Sequence, residues 1–532
     1  MKNDVPKNDD ILELQNLFKN QNYNKAEKLA IKLTKEYPSH PFSWKILGVI
    51  LWLTNRKSDA LKINKITIKL LPNDFEAHIH LGATLLDLGR YAEAEESFKE
   101  SLHINPNNLN SLYNLGLSLL KQNKSEDSEK IFYKIFQIKN NYPNVINNLG
   151  ISQRNLGKFH EAEKSFRRAI DFNIGDYVAL NNLGSLLKEL GNLNESKFFL
   201  EKSIHYNAEF AESYNNLGVT LYELGQFEKS EFNLKKAIEI DPNYTEAIHN
   251  LGLTLKELNN FKDAIFYFEK AIKINANFAD AYYNLAIIYA KQNNFMLAKE
   301  FLKKNLKLEP SNQTSKHLFN AYSGLTTKTA PKTYVEELFD VYAKKFEDSL
   351  VNKLDYKVPK LLSELLIKQN NYKSLGNLID LGCGTGLFGE AVKKFCKKLE
   401  GLDISGNMTA IAREKNIYDK IIKNEIDDYL STAVLCYDYF IFADVFIYIG
   451  DLDNIFKLIK ERNKISTKIA FSTEDYHGEG FKLETSGRYS HSKKYILDLC
   501  KKYQYDLVVF ENCKIRKEKK SIINGALYIL QT

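Results

Sequence analysis

A chain of 532 residues exceeds what one hydrophobic core can organise, so two or more domains are expected. Its composition, 44% hydrophobic and 27% charged, is that of an ordinary globular protein, and a net charge of +7 spread along the sequence argues against a nucleic-acid footprint. Five cysteines (383, 396, 436, 500 and 513) without paired C-x-x-C spacing argue against a disulfide framework or a metal site, and with no apolar leader and no run long enough to span a bilayer the expectation is a cytoplasmic protein that engages no membrane.

From about residue 7 to residue 310 the sequence repeats itself. Gly48, Gly82, Gly116, Gly150, Gly184, Gly218 and Gly252 stand 34 residues apart, and Ala286 fills the next slot. Twelve residues after each comes Ala or Ser: Ala60, Ala94, Ser128, Ala162, Ser196, Ser230, Ala264 and Ala298. Pro38, Pro72, Pro106, Pro242 and Pro310 lie on the same grid. Small residues let two helices cross closely, and proline ends the second. This pattern resembles the tetratricopeptide repeat, which implies an all-α solenoid of about nine units over 1–310, each unit burying its apolar face against its neighbours.

Asn114, Asn148, Asn182, Asn216, Asn250 and Asn284 share one slot, two residues before the Gly or Ala position. Duplication alone would preserve such a column. Alternatively, it is a ladder facing the concave groove, since an asparagine amide matches the backbone amide of an extended peptide. The repeats also resemble those of protein O-glycosyltransferases, which hold peptide substrates in this way; that resemblance implies a protein or peptide partner in the groove. Residues 315–323 read as a capping helix and 325–332, rich in Thr, Lys and Pro, as a linker. Beyond it, Leu338, Tyr342 and Phe346 recur at four-residue spacing. They read as a core face, or, for Tyr342 and Phe346, as a lid over the following site.

The C-terminal part, from 333 to 532, is organised around residues 378–390, LIDLGCGTGLFGE. An apolar segment reaches Asp380; Gly382, Gly384 and Gly386 follow, and helical spacing then begins. Strand, glycine turn and helix place backbone N–H groups and a helix N-terminus against a ligand. The next apolar segment ends at Asp403, where a carboxylate can accept from both hydroxyls of a ribose. Residues 384–389 also satisfy G-x-G-x-x-G, so a dinucleotide is one reading. An acid two residues before the first glycine repels a pyrophosphate and suits an ammonium group instead. The segment resembles the first motif of class I S-adenosylmethionine-dependent methyltransferases, which implies S-adenosylmethionine as cofactor and S-adenosylhomocysteine as product.

Further strands are expected at 421–423, 438–442 and 469–473, with 507–510 and 526–530 as an antiparallel edge pair. Strand–helix alternation gives an α/β, Rossmann-like, mostly parallel sheet. Glu425 is the candidate for the adenine amino group, with Ile426 as an apolar wall. Over about 315–530 the chain resembles a family of predicted bacterial methyltransferases with N-terminal tetratricopeptide repeats, through YVEELFDVYAKKFEDSL, LIDLGCGTGLFGE, GLDIS, FADVFIYIGDL and SGRYSHS. That resemblance implies cofactor roles for Asp380, Gly382, Gly384, Gly386, Asp403 and the region of Asp444, and names no substrate; Cys383 and Ile404, adjacent in sequence, are further cofactor-site candidates. The fourth strand ends in ADVF rather than N/D-P-P-Y/F, which argues against methylation of base or glutamine amino groups. If the acceptor needs a base, His477 and His491 are candidates, with Tyr448 and Tyr489 as positioning groups. Arg488 is a candidate for holding a substrate carboxylate. Two other readings remain open: a small-molecule methyltransferase whose repeats serve assembly, and a scaffold that only senses cofactor.

Overall fold

The computed structural model describes residues 5–141, 143–343, 346–347, 356–518 and 521–532. It falls into two compact units, 1–264 and 265–532. Nine helical pairs run from Asn8–Lys19 with Tyr23–Glu36 to Ala279–Lys291 with Phe295–Leu308, and Gln313–Ser323 follows as the single helix expected to cap them.

In the first unit the 34-residue grid has a direct steric cause. A Cβ on Gly82, Gly116 or Gly150 would lie 2.6–2.7 Å from Phe98, Phe132 or Phe166, sixteen residues on, and one on Gly184 or Gly218 would lie 2.6 Å from Leu200 or Leu234. The small residue at the twelfth position completes the crossing. Ala60, Ala94 and Ala162 are fully buried, while Ser128 and Ser230 donate to the carbonyls of Gly116 and Gly218 at 3.0 and 2.7 Å. From the second pair to the eighth the helices are joined by a turn whose left-handed residue also keeps the period: Asn55, Gly89, Asn123, Gly157, Gly191, Gly225 and Asn259, with φ of 58–79°. Asn or Gly fills this slot because both tolerate positive φ.

Packing also accounts for the asparagine column. Asn182, Asn216 and Asn250 donate through Nδ2 to the Oδ1 atoms of Asn147, Asn181 and Asn215 in the preceding repeat, at 3.0, 2.9 and 2.9 Å. Asn148 donates to the Tyr113 hydroxyl at 3.2 Å, and Asn114 and Asn284 bond back to the Asn110 and Asp280 carbonyls at 3.0 Å each. The column thus takes part in packing between repeats, a role that neither duplication nor a groove-facing ladder by itself implies. At least one N–H of each amide is spent within the chain, and the acceptors Asn147, Asn181 and Asn215, one residue earlier in each repeat, are nearly or fully buried.

The second unit contains a nine-stranded sheet. Its strands are β1 (Gly376–Leu381), β2 (Cys396–Asp403), β3 (Lys420–Lys423), β4 (Tyr439–Phe442), β5 (Lys468–Asp475), β6 (Phe481–Leu483), β7 (Tyr489–His491), β8 (Asp506–Glu518) and β9 (Ser521–Gln531). The order β3-β2-β1-β4-β5 is parallel throughout, as buried strands joined by helices require. β9 pairs antiparallel with β5 and carries β8 on its other side. Short β7 runs parallel to the last residues of β5 and forms a hairpin with β6, which the sequence pattern did not reveal. One face of the sheet packs Ile379, Leu402, Phe440, Phe442, Phe471 and Tyr528 into the main core, and the other packs Leu378, Leu399, Ile441 and Ile529 beneath the helix Val358–Gln369.

Residues 325–332, expected as a linker, are tied down within this unit. Ala330 N–H donates to the Tyr448 carbonyl, Gly450 and Asp451 N–H donate to the Lys328 carbonyl, and Thr329 bridges Ile449. The helix Lys332–Tyr342 follows; 344–345, 348–355 and the Tyr342 side chain lie outside the described residues.

Candidate functional site

The tips of β1, β2, β3 and β4 and the helix Lys332–Tyr342 surround a cavity of about 430 Å³, within the range of small-molecule sites. Asp380 and Asp403, Gly382 to Thr385, Ile404, Glu425, Ile426, Asp444, Tyr448, Phe346, Arg488 and Arg516 all line it. Of the residues assigned to a cofactor from sequence, only Gly386 does not. It is a positive-φ residue (94°) capping the helix Leu387–Val392, and an added Cβ would press on Tyr418 at 3.3 Å.

The glycine turn works differently from the expected row of donors aimed at a ligand. Gly382 and Cys383 N–H donate to the Leu402 carbonyl, Gly386 N–H to the Cys383 carbonyl, and Gly384 N–H to Asp403 Oδ2 at 2.8 Å. The first two and the last of these bonds lash the β1 turn to the end of β2, the Gly386 bond closes the turn on itself, and none of the four amides is left for a phosphate. The glycines are needed for backbone shape: φ is 82° at Gly382 and 54° at Gly384. A Cβ on Gly382 would meet Val445 Cγ2 at 2.4 Å.

Asp403 accepts from Gly384 N–H on one oxygen and from Ser405 N–H on the other, at 2.9 Å, which fixes its plane toward the cavity. Ser405, which caps the next helix, also binds Asp340, and Asp340 accepts from Asn407 N–H. Asp380 is fully buried; its Oδ2 accepts from the Tyr418 hydroxyl at 2.6 Å, and its Oδ1 has no hydrogen-bond partner among the described residues. Burial pushes the Asp380 carboxyl up to about 7, the Tyr418 hydrogen bond opposes this, and the neighbouring Asp403 charge adds to it. Two buried carboxylates, one with an oxygen wanting a donor, beside a turn shaped by positive-φ glycines, fit a ligand bearing an ammonium group and a ribose. Tyr418 and Asp340 were not foreseen, because nothing in sequence pairs them with residues 38 and 65 positions away.

At the β4 tip, Asp444 adopts φ 61°, an uncommon conformation for a residue other than glycine, and its N–H donates to Ser472 Oγ at 2.9 Å. Its Oδ2 pairs with Arg516 at 3.3 Å; Arg516, on β8, also binds Glu474 and is 3% exposed. Tyr448 lines the cavity and hydrogen-bonds Arg488. Neither candidate histidine is among the described residues that line the cavity. His491 is 1% exposed, does not line the cavity, lies against the Gly450 carbonyl at 2.9 Å, and burial lowers its pKa to about 4. His477 is exposed in the turn after β5, also away from the cavity liners. Tyr489 is buried beside Thr327, likewise outside it. Phe346 does line the cavity, 3.9 Å from a Cβ added to Gly384, with Phe339 edge-on to it.

Comparison with known families agrees with this architecture. Tetratricopeptide-repeat profiles match 75–108, 211–244 and 279–312, and others match 97–130, 143–173, 177–210, 233–266 and 252–293. The methyltransferase domain profile matches 379–465. An uncharacterized methyltransferase of Schizosaccharomyces pombe is 35% identical over 68 residues, 13% of this chain and 26% of the relative, so about a quarter of that protein's length is spanned. Among solved structures the chain is similar to the APC/C hetero-tetramer Cut9–Hcn1 (16% identity, 56% of this chain and 59% of that one, TM-score 0.43). It is also similar to YrrB, a tetratricopeptide-repeat protein with an unusual peptide-binding site (22% identity, 35% and 96% covered, TM-score 0.30). The chain therefore carries tetratricopeptide repeats followed by a methyltransferase domain.

Proposed function

We propose that the protein is an S-adenosylmethionine-dependent methyltransferase whose repeats recruit a protein or peptide that is, or carries, the methyl acceptor, and that it works in the cytoplasm. The observation that carries the cofactor reading is the Oδ1 of Asp380, unpartnered among the described residues, beside Asp403 and a turn in which the Gly382, Cys383, Gly384 and Gly386 N–H groups are already spent. A pyrophosphate would need those N–H groups; an ammonium needs the carboxylate.

S-adenosylmethionine would supply an electrophilic methyl group on a sulfonium. Asp380 would hold its ammonium and Asp403 its ribose hydroxyls. Glu425 and Ile426, which line the cavity at the β3 tip, would bound the base. Phe346, Phe339 and Leu338 would exclude water from this end. In the solenoid, Asn182 and Asn216 each commit one N–H to the preceding repeat, leaving the second N–H and the oxygen for a partner's backbone.

Calorimetry with S-adenosylhomocysteine tests the assignment. Asp403→Ala removes an acceptor for two hydroxyls, at about 1.5–3 kcal/mol for a charge-assisted bond, and should weaken binding at least ~tenfold. Undiminished affinity, or tight binding of NADH instead, would reject the reading. Incubation with methyl-labelled S-adenosylmethionine and host lysate then shows whether label follows protein or small molecules; label in metabolites alone would favour repeats used for assembly.

A further inference from the structure

The run G-x-G-x-x-G at 384–389 contains two glycines that the cavity does not use. Gly386 and Gly389 are not among its liners. Both face one side chain instead. A Cβ on Gly389 would lie 2.5 Å from the Tyr418 hydroxyl oxygen, and one on Gly386 would lie 3.3 Å from the ring. Gly401, within β2, bounds the same ring: a Cβ there would meet it at 3.0 Å. Glycines of the turn, the following helix and β2 thus leave room for a single tyrosine.

Tyr418 stands just before β3, and its neighbour fixes it there. Asp419 N–H donates to the Leu399 carbonyl at 2.7 Å, and Asp419 Oδ2 accepts from Leu399 N–H at 2.7 Å. With the ring held against β2, the hydroxyl donates to Asp380 Oδ2 at 2.6 Å, and Oδ1 is the oxygen without a partner among the described residues. A residue that only filled this space would need no hydroxyl. Burying one is costly unless it is paired, and here its partner is the carboxylate that lines the cavity.

We propose, resting on the methyltransferase reading above, that Tyr418 is the positioning residue of the ammonium subsite: its hydroxyl occupies Oδ2 of Asp380, so that Oδ1 is the oxygen presented to the ligand's ammonium group, and Gly386, Gly389 and Gly401 are small in order to admit it. A hydrogen bond donated to a carboxylate favours its ionised form. Burial pushes Asp380 up to about 7 even with this bond in place, so without it the carboxyl would be chiefly protonated at neutral pH and unable to hold a cation. The other titratable groups facing Asp380 are Asp403 at the end of β2, Cys396 at its start, Cys383 in the turn, and Tyr356. Burial raises both thiols and the Tyr356 and Tyr418 hydroxyls, so these four are neutral at neutral pH. Asp403 has its own donors, Gly384 and Ser405 N–H, whatever stands at 418. A change that follows loss of the Tyr418 hydroxyl therefore reports on Asp380.

Calorimetry with S-adenosylhomocysteine from pH 5.5 to 8.5 compares the unaltered full chain with Tyr418→Phe, which keeps the ring. The pH at which affinity levels off should move up by about one unit, so that affinity falls roughly tenfold at pH 7 and is largely regained at pH 8.5. Gly389→Ala, which drives a Cβ against the hydroxyl, should move the profile in the same direction. Equal weakening at every pH, or a profile that coincides with that of the unaltered protein, would reduce Tyr418 to packing and overturn the proposal. Should Tyr418→Phe fail to fold, the Gly389→Ala profile decides by the same criterion. Failure of the unaltered protein to bind S-adenosylhomocysteine at any pH would instead overturn the cofactor reading itself, and this proposal with it.

Discussion

Two buried acids, one in each unit, show how the same side-chain chemistry is put to opposite uses. Glu95 in the solenoid is 7% exposed and accepts from Lys99, Lys124 and Gln122 at 2.6–2.8 Å. Burial raises its pKa, the three donors more than offset that, and the carboxyl drops to about 2. Asp380 in the cavity has, among the described residues, one donor and one unpartnered oxygen, and burial lifts it to about 7. An acid satisfied by its own chain secures the fold. An acid left unsatisfied destabilises the fold and implies a ligand that supplies what is missing.

The largest effect expected from probing this contrast is in the turn beside Asp380. Gly382→Ala places a Cβ 2.4 Å from Val445 at φ 82°. Overpacking and left-handed strain together cost about 2–5 kcal/mol, so cofactor affinity should fall at least ~30-fold. Affinity preserved in calorimetry would show that the turn has slack the structure denies.

Next comes the solenoid's own polar ladder. Replacing Asn182, Asn216 and Asn250 by Ala removes the donors to Asn147, Asn181 and Asn215. At about 1 kcal/mol each the change should lower stability by ~3 kcal/mol, read as an earlier denaturation midpoint in helical circular dichroism. Were the midpoint unmoved, the bonds would be energetically idle and the column left chiefly to a partner.

The pH response should differ between the two acids. Burial lifts the folded Asp380 carboxyl to about 7 against 3.8 for an ordinary Asp, so the folded state holds the extra proton. Its contribution to stability therefore declines as pH rises toward 7 and is level above it. An ammonium ligand requires the ionised form, so cofactor affinity should rise up to ~tenfold per pH unit below about 7 and then flatten. Calorimetry from pH 5.5 to 8.5 reads this; a flat profile would remove Asp380 from the ammonium site.

Glu95 behaves in the reverse sense and is the mildest case. With a folded pKa near 2 against 4.5, its stabilisation is complete above 4.5 and is lost as pH falls toward 2. Glu95→Gln should cost about 1 kcal/mol at neutral pH, because Lys99 and Lys124 are about half exposed and regain water. Urea titration at pH 7 and at pH 3 should show the difference between the two proteins shrinking in acid.

Periodicity and motif order determined much of this protein without any tertiary information. A 34-residue steric rule needs only a small residue opposite a large one, so Gly116 and Phe132 reveal it in one dimension. The left-handed Asn and Gly slots were equally readable and went unread. Apolar segments ending in Asp380 and Asp403 marked β1 and β2, because an acid is kept at the end of a buried strand only for a local reason. What tertiary structure alone decided were the long-range pairings: Tyr418 on Asp380, Arg516 on Asp444 and Glu474, and Arg488 brought to Tyr448 by the β6–β7 hairpin. It also set His491 away from the cavity liners, with Phe481 and Tyr495 beside it. Local steric rules repeat along a chain and can be read there. Charge pairing across a sheet depends on which strand tips meet in space, and no spacing in the sequence encodes that.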